Sequence, residues 1–523
     1  MNKKLKPLVL ALALACASTA ALADEREELE KLRHTTTALI DALVKQGILT
    51  KDKADELVRN AQRAASSAVA AQSGGSKVVR VPYVPQTVRD EIKEELRREV
   101  VAKVQDEGWA KPGEVPEWVK RMRWEGDIRV RYQHDGLPSS NFDPLLLQLS
   151  DPSFVGVTNS RESTNRFRLR ARLGLETNLS EDVDAGLRLA TGSFTNPIST
   201  TQTLGNNGNR FTVGLDRAFL RYRTDTLTLA GGRFENPFFS TDLVWDSNLA
   251  FDGVAGTWRP RLGSESRGLV TLGAFPVENI APNIQSEGKN KWLYGAQIGG
   301  DWLVAPATRL KVGLAYYDFD GIEGRANPLI GNTSLNNATS PQFRQKGNSV
   351  FDLNGASFCT SVNSPSCVLG LMSSFKEVNL TAALDLAQLD PVHVVLTGDY
   401  VQNRGFDRDE IARRIGSLDP SAIPDGKTRG YQVKLSVGYP KVSQRGQWDA
   451  YAAYKRVERD AVVDAFTDAD FRLGGTDAKG YILGGSYGLD KNVWLGAKWI
   501  SADAIDGPPF SADVLQVDLN ARF

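Results

Sequence analysis

The sequence predicts an all-β transmembrane barrel of about 16 antiparallel, up-and-down strands, preceded by a small α-helical region. Three observations carry this: a recurring period-two alternation of apolar and polar residues, an export signal, and connections that alternate between short and long. The alternation is clearest in the last segment. There Asp513, Leu515, Val517, Leu519, Ala521 and Phe523 fall on one face, and Val514, Gln516, Asp518, Asn520 and Arg522 on the other. A period of two is the signature of a strand. In a membrane barrel the apolar row meets lipid and the polar row lines the lumen.

Composition narrows the class. The 523 residues are 41% apolar, with 63 basic against 63 acidic side chains. That balance excludes a helical membrane protein and a generic polyanion binder, so no nucleic-acid partner is expected. Mean hydropathy is negative, as it must be where half of every strand faces water.

Residues 1–23 read as a signal peptide. Lys3, Lys4 and Lys6 form its charged end, Leu8 to Ala15 its apolar run, and Ala21-Leu22-Ala23 a small-x-small cleavage site before Asp24. Cys16 raises a lipoprotein alternative, against which Ala13 stands where a lipidation signal usually carries leucine. The spacing of Leu29, Leu32, Leu39 and Leu43, then Leu57, Val58, Ala61 and Ala65, and then Val88, Ile92, Leu96 and Val100, predicts helices over 24–118, in the periplasm. A linker at 72–86 is stiffened by Pro82 and Pro85. This region is either a self-packed appendage or a short oligomerising coiled coil.

From residue 119 to 523 the period is two. In RMRWEGDIRVRYQ, Trp124, Ile128, Val130 and Tyr132 share one face, and Arg129 and Arg131 the other. NRFRLRARLGLETN sets Phe167, Leu169, Ala171 and Leu173 against Arg166, Arg168, Arg170 and Arg172. Further strands start near Glu181, Val213, Thr226, Ala250, Arg267, Lys291, Ala307, Phe375, Pro391, Thr428, Gly446, Lys479, Lys491 and Ala512. Each is roughly ten residues, enough to cross when tilted. Between them, TNLSED, TDT, VAPA, LAQLD and GLDK are short, whereas 134–164, 193–212 and 319–373 are long. Short turns on one side and long loops on the other are a property of membrane barrels. An even strand count returns the C-terminus to the periplasmic side.

Polar-face arginines crowd the early strands: Arg129, Arg131, Arg166, Arg168, Arg170, Arg172, Arg188, Arg217, Arg221, Arg223 and Arg233. On a lipid face each would cost about 2–4 kcal/mol at the membrane midplane, so this face is the lumen. There the arginines are either wall residues paired with acids or a cationic surface that favours anions. GRFENPFFSTDLVWDSNLAFDG breaks the alternation and carries Glu235, Asp242, Asp246 and Asp252. Folded inward, it would narrow the pore and set its acids, Glu235, Asp242 and Asp246 above all, opposite the arginines. Otherwise it is an exposed loop.

Cys359 and Cys367 flank a Ser/Asn/Pro loop, and in an exported chain such a pair most simply forms a disulfide. His34, His134 and His393 share no catalytic spacing, so neither an enzyme nor a metal or other cofactor is expected.

The chain resembles Gram-negative outer-membrane porins, and more closely the putative porin family, whose members place a helical segment before the barrel. VRVPYVPQTVRDEIKEELRREV, WEGDIRVRYQ, RFRLRARLGLETNLSEDVDAGLRLATG and the terminal VDLNARF carry the resemblance. GRFENPFFSTDLVWDSNLAFDG is similar to the constriction loop of general porins. The resemblance implies a trimeric diffusion pore for small hydrophilic solutes in the outer membrane. Phe523 would be the residue that the assembly machinery reads. The competing expectation is a structural anchor, with the barrel in outer-membrane lipid and the helices tethered to the cell wall.

Overall fold

The computed structural model describes residues 117–523, apart from 284–285, 287, 356–366 and 418. The expected signal peptide, the helical region up to residue 116 with its linker, Cys16, His34 and Cys359 lie outside the described residues. The chain divides at Val115/Pro116 into two units, and the second carries the barrel.

A short helix, Glu117–Lys120, leads into sixteen long strands that form a closed antiparallel barrel. In order they are β1 Met122–Gly136, β2 Thr164–Asn178, β3 Val183–Thr191 and β4 Val213–Arg223. Then come β5 Leu227–Glu235, β6 Ala250–Trp258, β7 Arg267–Glu278 and β8 Lys291–Ala305. The far side is β9 Thr308–Asp320, β10 Phe375–Leu389, β11 Val392–Asn403 and β12 Arg429–Gly438. The last four are β13 Trp448–Val457, β14 Ala478–Asp490, β15 Val493–Ala504 and β16 Ala512–Arg522. The starts at Val213, Ala250, Arg267, Lys291, Phe375 and Ala512 coincide with those read from the sequence.

Each strand pairs with its sequence neighbours, and β16 pairs with β1 to close the ring. Register at the seam keeps like faces together. Val130 lies opposite Leu519 and Tyr132 opposite Val517 on the outside, while Arg131 meets Asp518 and Gln133 meets Gln516 on the inside. At its lower end Phe523 exchanges backbone hydrogen bonds with Gly126, at 2.9 and 3.0 Å. A Cβ on Gly126 would lie 2.5 Å from the Phe523 ring, so the ring rests on bare backbone. Only glycine permits that approach.

The outward faces are what lipid requires. Leu272, Val254, Ile298, Leu435 and Leu519 are exposed large apolar residues. Aromatics flank this band. Tyr454 packs against Tyr431 and Tyr481 with ring centroids 6.0 and 5.1 Å apart, next to the cross-strand pair Tyr400–Tyr431. Trp448 stands opposite Tyr487 toward the other end. Amphipathic rings at both edges of an apolar belt match the two membrane interfaces.

Inside the barrel, the principal apolar core fills lumen that the alternation alone would leave to water. Inward-facing Phe251, Phe275, Tyr317 and Phe319 pack with Phe238 and Trp245 from the connection 236–249 and with Phe466 from the connection 458–477. Long connections that carry aromatics bury them by packing against one another and the inward aromatics of the wall, which expels water from that part of the lumen.

Candidate pore and the loops that narrow it

The arginines named above lie on or beside the lumen wall, and register brings them into contact. Three cross-strand positions set arginine directly opposite arginine: Arg129–Arg170, Arg131–Arg168 and Arg188–Arg217. Like charges so placed destabilise a sheet. Acids on neighbouring strands offset part of the repulsion. Asp127 accepts from Arg170 at 2.9 Å and Arg172 at 2.7 Å, and Asp184 from Arg221 at 2.9 Å and Arg223 at 2.7 Å. Arg131 forks onto Asp518 at 2.7 and 2.9 Å, Arg188 meets Asp216 at 2.6 Å, Arg166 pairs with Asp135, and Arg233 bonds to Asp252 at 2.9 Å. Two members hydrogen-bond to neutral partners: Arg129 to the Thr201 hydroxyl at 2.8 Å, with Asp518 more distant at 3.9 Å, and Arg168 to the Gln133 amide oxygen at 3.0 Å. With two acids each serving two arginines, the wall of β1–β5 keeps a cationic surplus.

The connection 236–249 turns into the barrel. Gln297, inward on β8, receives a bond from the Phe239 N–H at 2.8 Å and donates to the Phe239 carbonyl at 2.8 Å. Asp399, inward on β11, accepts from both the backbone N–H and the hydroxyl of Thr241, at 3.1 and 2.6 Å. Trp245 is buried against Tyr317 and Phe251, with both centroid separations 5.1 Å.

The three acids expected to face the arginine row, Glu235 at the end of β5 and Asp242 and Asp246 within 236–249, diverge. Glu235 meets the arginine row, accepting from Arg217 at 2.8 Å. Asp242 and Asp246 turn the other way. Asp242 pairs with Lys455 of β13 at 3.0 Å. Asp246 accepts from the Asn248 N–H at 2.7 Å and the Ala469 N–H at 3.2 Å. Burial, and then the neighbouring Asp468, push the Asp246 carboxyl up to about 7.

A second connection that the sequence reading passed over lies alongside. Residues 458–477 dock against 236–249 through Thr467, which donates to the Leu243 carbonyl at 2.9 Å, and through the Asp246 N–H, which donates to the Phe466 carbonyl at 2.7 Å. Asn348 clasps it from the connection 321–374, donating to the Arg459 and Val462 carbonyls at 2.6 and 2.9 Å. Its acids Asp468 and Asp470 bind Lys455 and Lys498, each at 2.7 Å. Burial opposes ionisation of Asp470, but Lys498 and Arg131 outweigh it and hold the carboxyl far below its ordinary range. Burial lifts Asp460 and Asp464 of the same segment to about 6. A signal for the two lysines existed: in YAAYKRV and LGAKWIS they fall on the face opposite Tyr454 and Trp499.

Between the arginine strands and the docked loops lies a cavity of about 380 Å³, bordered by Asp216 and Arg233 on one side and Lys291, Phe343 and Phe466 on the other. Cys367 is disulfide-bonded, while Cys359, its expected partner, lies outside the described residues. His134 and His393 sit at hydrogen-bond distance from Asn165 and Asp385, both 2.8 Å.

A family model described as putative porin matches residues 33–523. No curated protein matches the chain. Among solved structures, the outer membrane channel DcaP of Acinetobacter baumannii is similar at 10% identity and a TM-score of 0.41, over 77% of this chain and 97% of that one. OprB of Pseudomonas putida aligns at 12% identity and a TM-score of 0.43, over 77% and 95%. An anion-selective porin from Comamonas acidovorans aligns at 11% identity and a TM-score of 0.40, over 77% and 99%. The strand pairing, rather than these alignments, carries the fold.

Proposed function

We propose that this chain, which belongs to the putative porin family, forms a water-filled outer-membrane channel through which small hydrophilic solutes diffuse passively, with a modest preference for anions. One observation carries the preference: arginine stands directly opposite arginine at three cross-strand positions of the lumen wall. Sheet stability disfavours such pairs, and a cationic surface in a low-dielectric channel accounts for them through the field it sets on passing ions. Charges beyond about one Debye length, roughly 8 Å at physiological salt, are screened. The local wall therefore counts for more than the neutral whole-chain balance.

In this reading the arginines of β1–β5 line the open passage and the segment 236–249 narrows it. The barrel works as a homotrimer, with its helical region in the periplasm and its insertion directed by the outer-membrane assembly machinery. Single-channel conductance and reversal potentials in a salt gradient test the proposal, and a non-conducting, folded barrel would sink it. Deleting residues 24–110 separates pore from tether: conduction should survive the deletion.

A further inference from the structure

The cavity between the arginine strands and the docked loops differs in chemistry from the wall beside it. Its volume of about 380 Å³ falls within the range of small-molecule sites, roughly 300–1,000 Å³. Three phenyl rings border it, those of Phe194, Phe343 and Phe466. Phe194 is 78% exposed, yet its ring has a seat. A Cβ on Gly214 would lie 2.5 Å from it, so the ring rests on bare backbone at the head of β4. Phe466 is held by stacking on Phe319, with centroids 6.0 Å apart. Single exposed apolar side chains are ordinary, whereas three rings around one hollow mark a place where apolar surface is offered to a ligand.

The four charged residues that line the cavity are matched in pairs. Arg233 bonds to both oxygens of Asp252 at 2.9 Å, Lys291 donates to Glu278 at 2.7 Å, and Asp216 accepts from Arg188 at 2.6 Å. On the arginine row, by contrast, two acids each serve two arginines. An ion entering the cavity meets no unmatched charge to offset its lost hydration. What remains for a solute is neutral. The Ser193 and Thr195 hydroxyls are exposed and lie 3.0 Å apart. The Gln342 amide gives one N–H to Glu278 at 3.0 Å and keeps its carbonyl oxygen and second N–H.

We propose that this cavity is a binding subsite for neutral polyhydroxylated solutes, sugars of one or two rings. The inference rests on the channel reading above and deepens it, naming a solute class that the arginine row does not select. A sugar ring presents apolar C–H groups on its faces and hydroxyls around its edge. The phenyl rings suit the first, since their electron-rich faces attract polarised C–H groups. Hydroxyls and a side-chain amide suit the second, because each offers a donor and an acceptor side by side. A linear polyether of the same size has acceptors but neither donors nor a rigid face. A carboxylate would lose hydration without gaining a free cation. The cavity therefore discriminates by shape and hydrogen bonding where the wall discriminates by charge.

Maltose is the probe, read by saturation-transfer NMR on the full chain in a detergent without a sugar headgroup. Maltose should show saturable transfer, and Phe194→Ala should weaken its binding about fivefold. A polyethylene glycol of similar mass and citrate should show no saturable transfer and should not displace maltose. No saturable transfer from maltose overturns the proposal, as does binding unchanged by Phe194→Ala. Displacement by citrate overturns it too, since the cavity would then be a site for anions. If Phe194→Ala fails to fold, Gln342→Ala at another exposed position takes its place, with a loss of about twofold expected and an unchanged affinity decisive against. Binding in detergent does not need conduction. A chain that binds maltose in this pattern yet passes no current would refute the channel and leave the subsite standing, and a conducting barrel without maltose binding would do the reverse.

Discussion

The strands β1–β5 and β8–β15 obey the same alternation, yet their inward residues do opposite things. On the first set, the inward side chains are long and cationic and pair mostly along the wall, with Arg129 and Arg131 also reaching a connection, and the proposed passage runs beside them. On the second, inward Gln297, Asp399, Lys455 and Lys498 reach across to the connections 236–249 and 458–477 and hold them in the lumen. Alternation decides which way a residue points. What fills the space it points into depends on partners far away in sequence.

The packed side is the easiest to break. Trp245→Ala removes a buried aromatic anchor, a change worth about 3–5 kcal/mol in a core. The barrel should persist, because its strand ladder is untouched, while 236–249 loosens. Single-channel conductance should rise severalfold, and an unchanged conductance would mean this loop does not set the narrowest point.

The open side is probed by charge. Arg129→Gln with Arg168→Gln removes two arginines whose hydrogen bonds go to neutral partners, breaking only the long 3.9 Å pair of Arg129 with Asp518, which Arg131 still holds, so little else rearranges. The reversal potential in a salt gradient should move toward cations, with the anion-to-cation permeability ratio falling severalfold. No shift would make the row a structural wall and nothing more.

Proton concentration should act on the packed side. Asp246 titrates near 7 when folded, and Asp460 and Asp464 near 6, all above the ordinary 3.8. The docked state therefore binds more protons than the released one between about pH 4 and 7. Through these three groups docking weakens as pH rises across that window, whereas Asp470, held low by Lys498 and Arg131, weakens docking only below it. For Asp246 the effect is on the order of 4 kcal/mol as an upper bound. Conductance should climb between pH 4 and 7, and Asp246→Asn should flatten much of the rise. A pH-independent conductance in both proteins would discard this coupling.

The smallest effects lie away from both halves. Gly126→Val would drive a side chain into the Phe523 ring and should cost about 1–3 kcal/mol, lowering the thermal unfolding midpoint by a few degrees with ion preference unchanged. We also expect Cys359 and Cys367 to be bonded to each other. Alkylation of the unreduced, unfolded protein should then leave both unmodified by mass, and reduction should barely alter conductance.

Much of this was readable in the chain itself. Strand positions, facing and the short-long rhythm follow from nearest-neighbour chemistry, so Ala512, Lys291 and Phe375 could be placed without coordinates. The inward arginines were legible for the same reason: no lipid face tolerates them. The partners of the loop acids were not. Asp242 meets Lys455 and Thr241 meets Asp399 across well over a hundred residues of chain, and periodicity holds no information at that range. Glu235, two residues past Arg233 and one strand from Arg217, was within reach of a local argument, and it does meet the arginine row.

Asp470 has one consequence that belongs to the history of each molecule rather than to its finished state. Its cationic partners, Lys498 on β15 and Arg131 on β1, flank the seam that β16 closes, with the Arg131–Asp518 pair spanning it. Those partners are brought side by side only when the last strand has joined the first. Loop closure between such distant residues is slow relative to hairpin formation. The segment 458–477 therefore acquires its full set of counter-charges as a late event of maturation, and its docking records that the ring is complete.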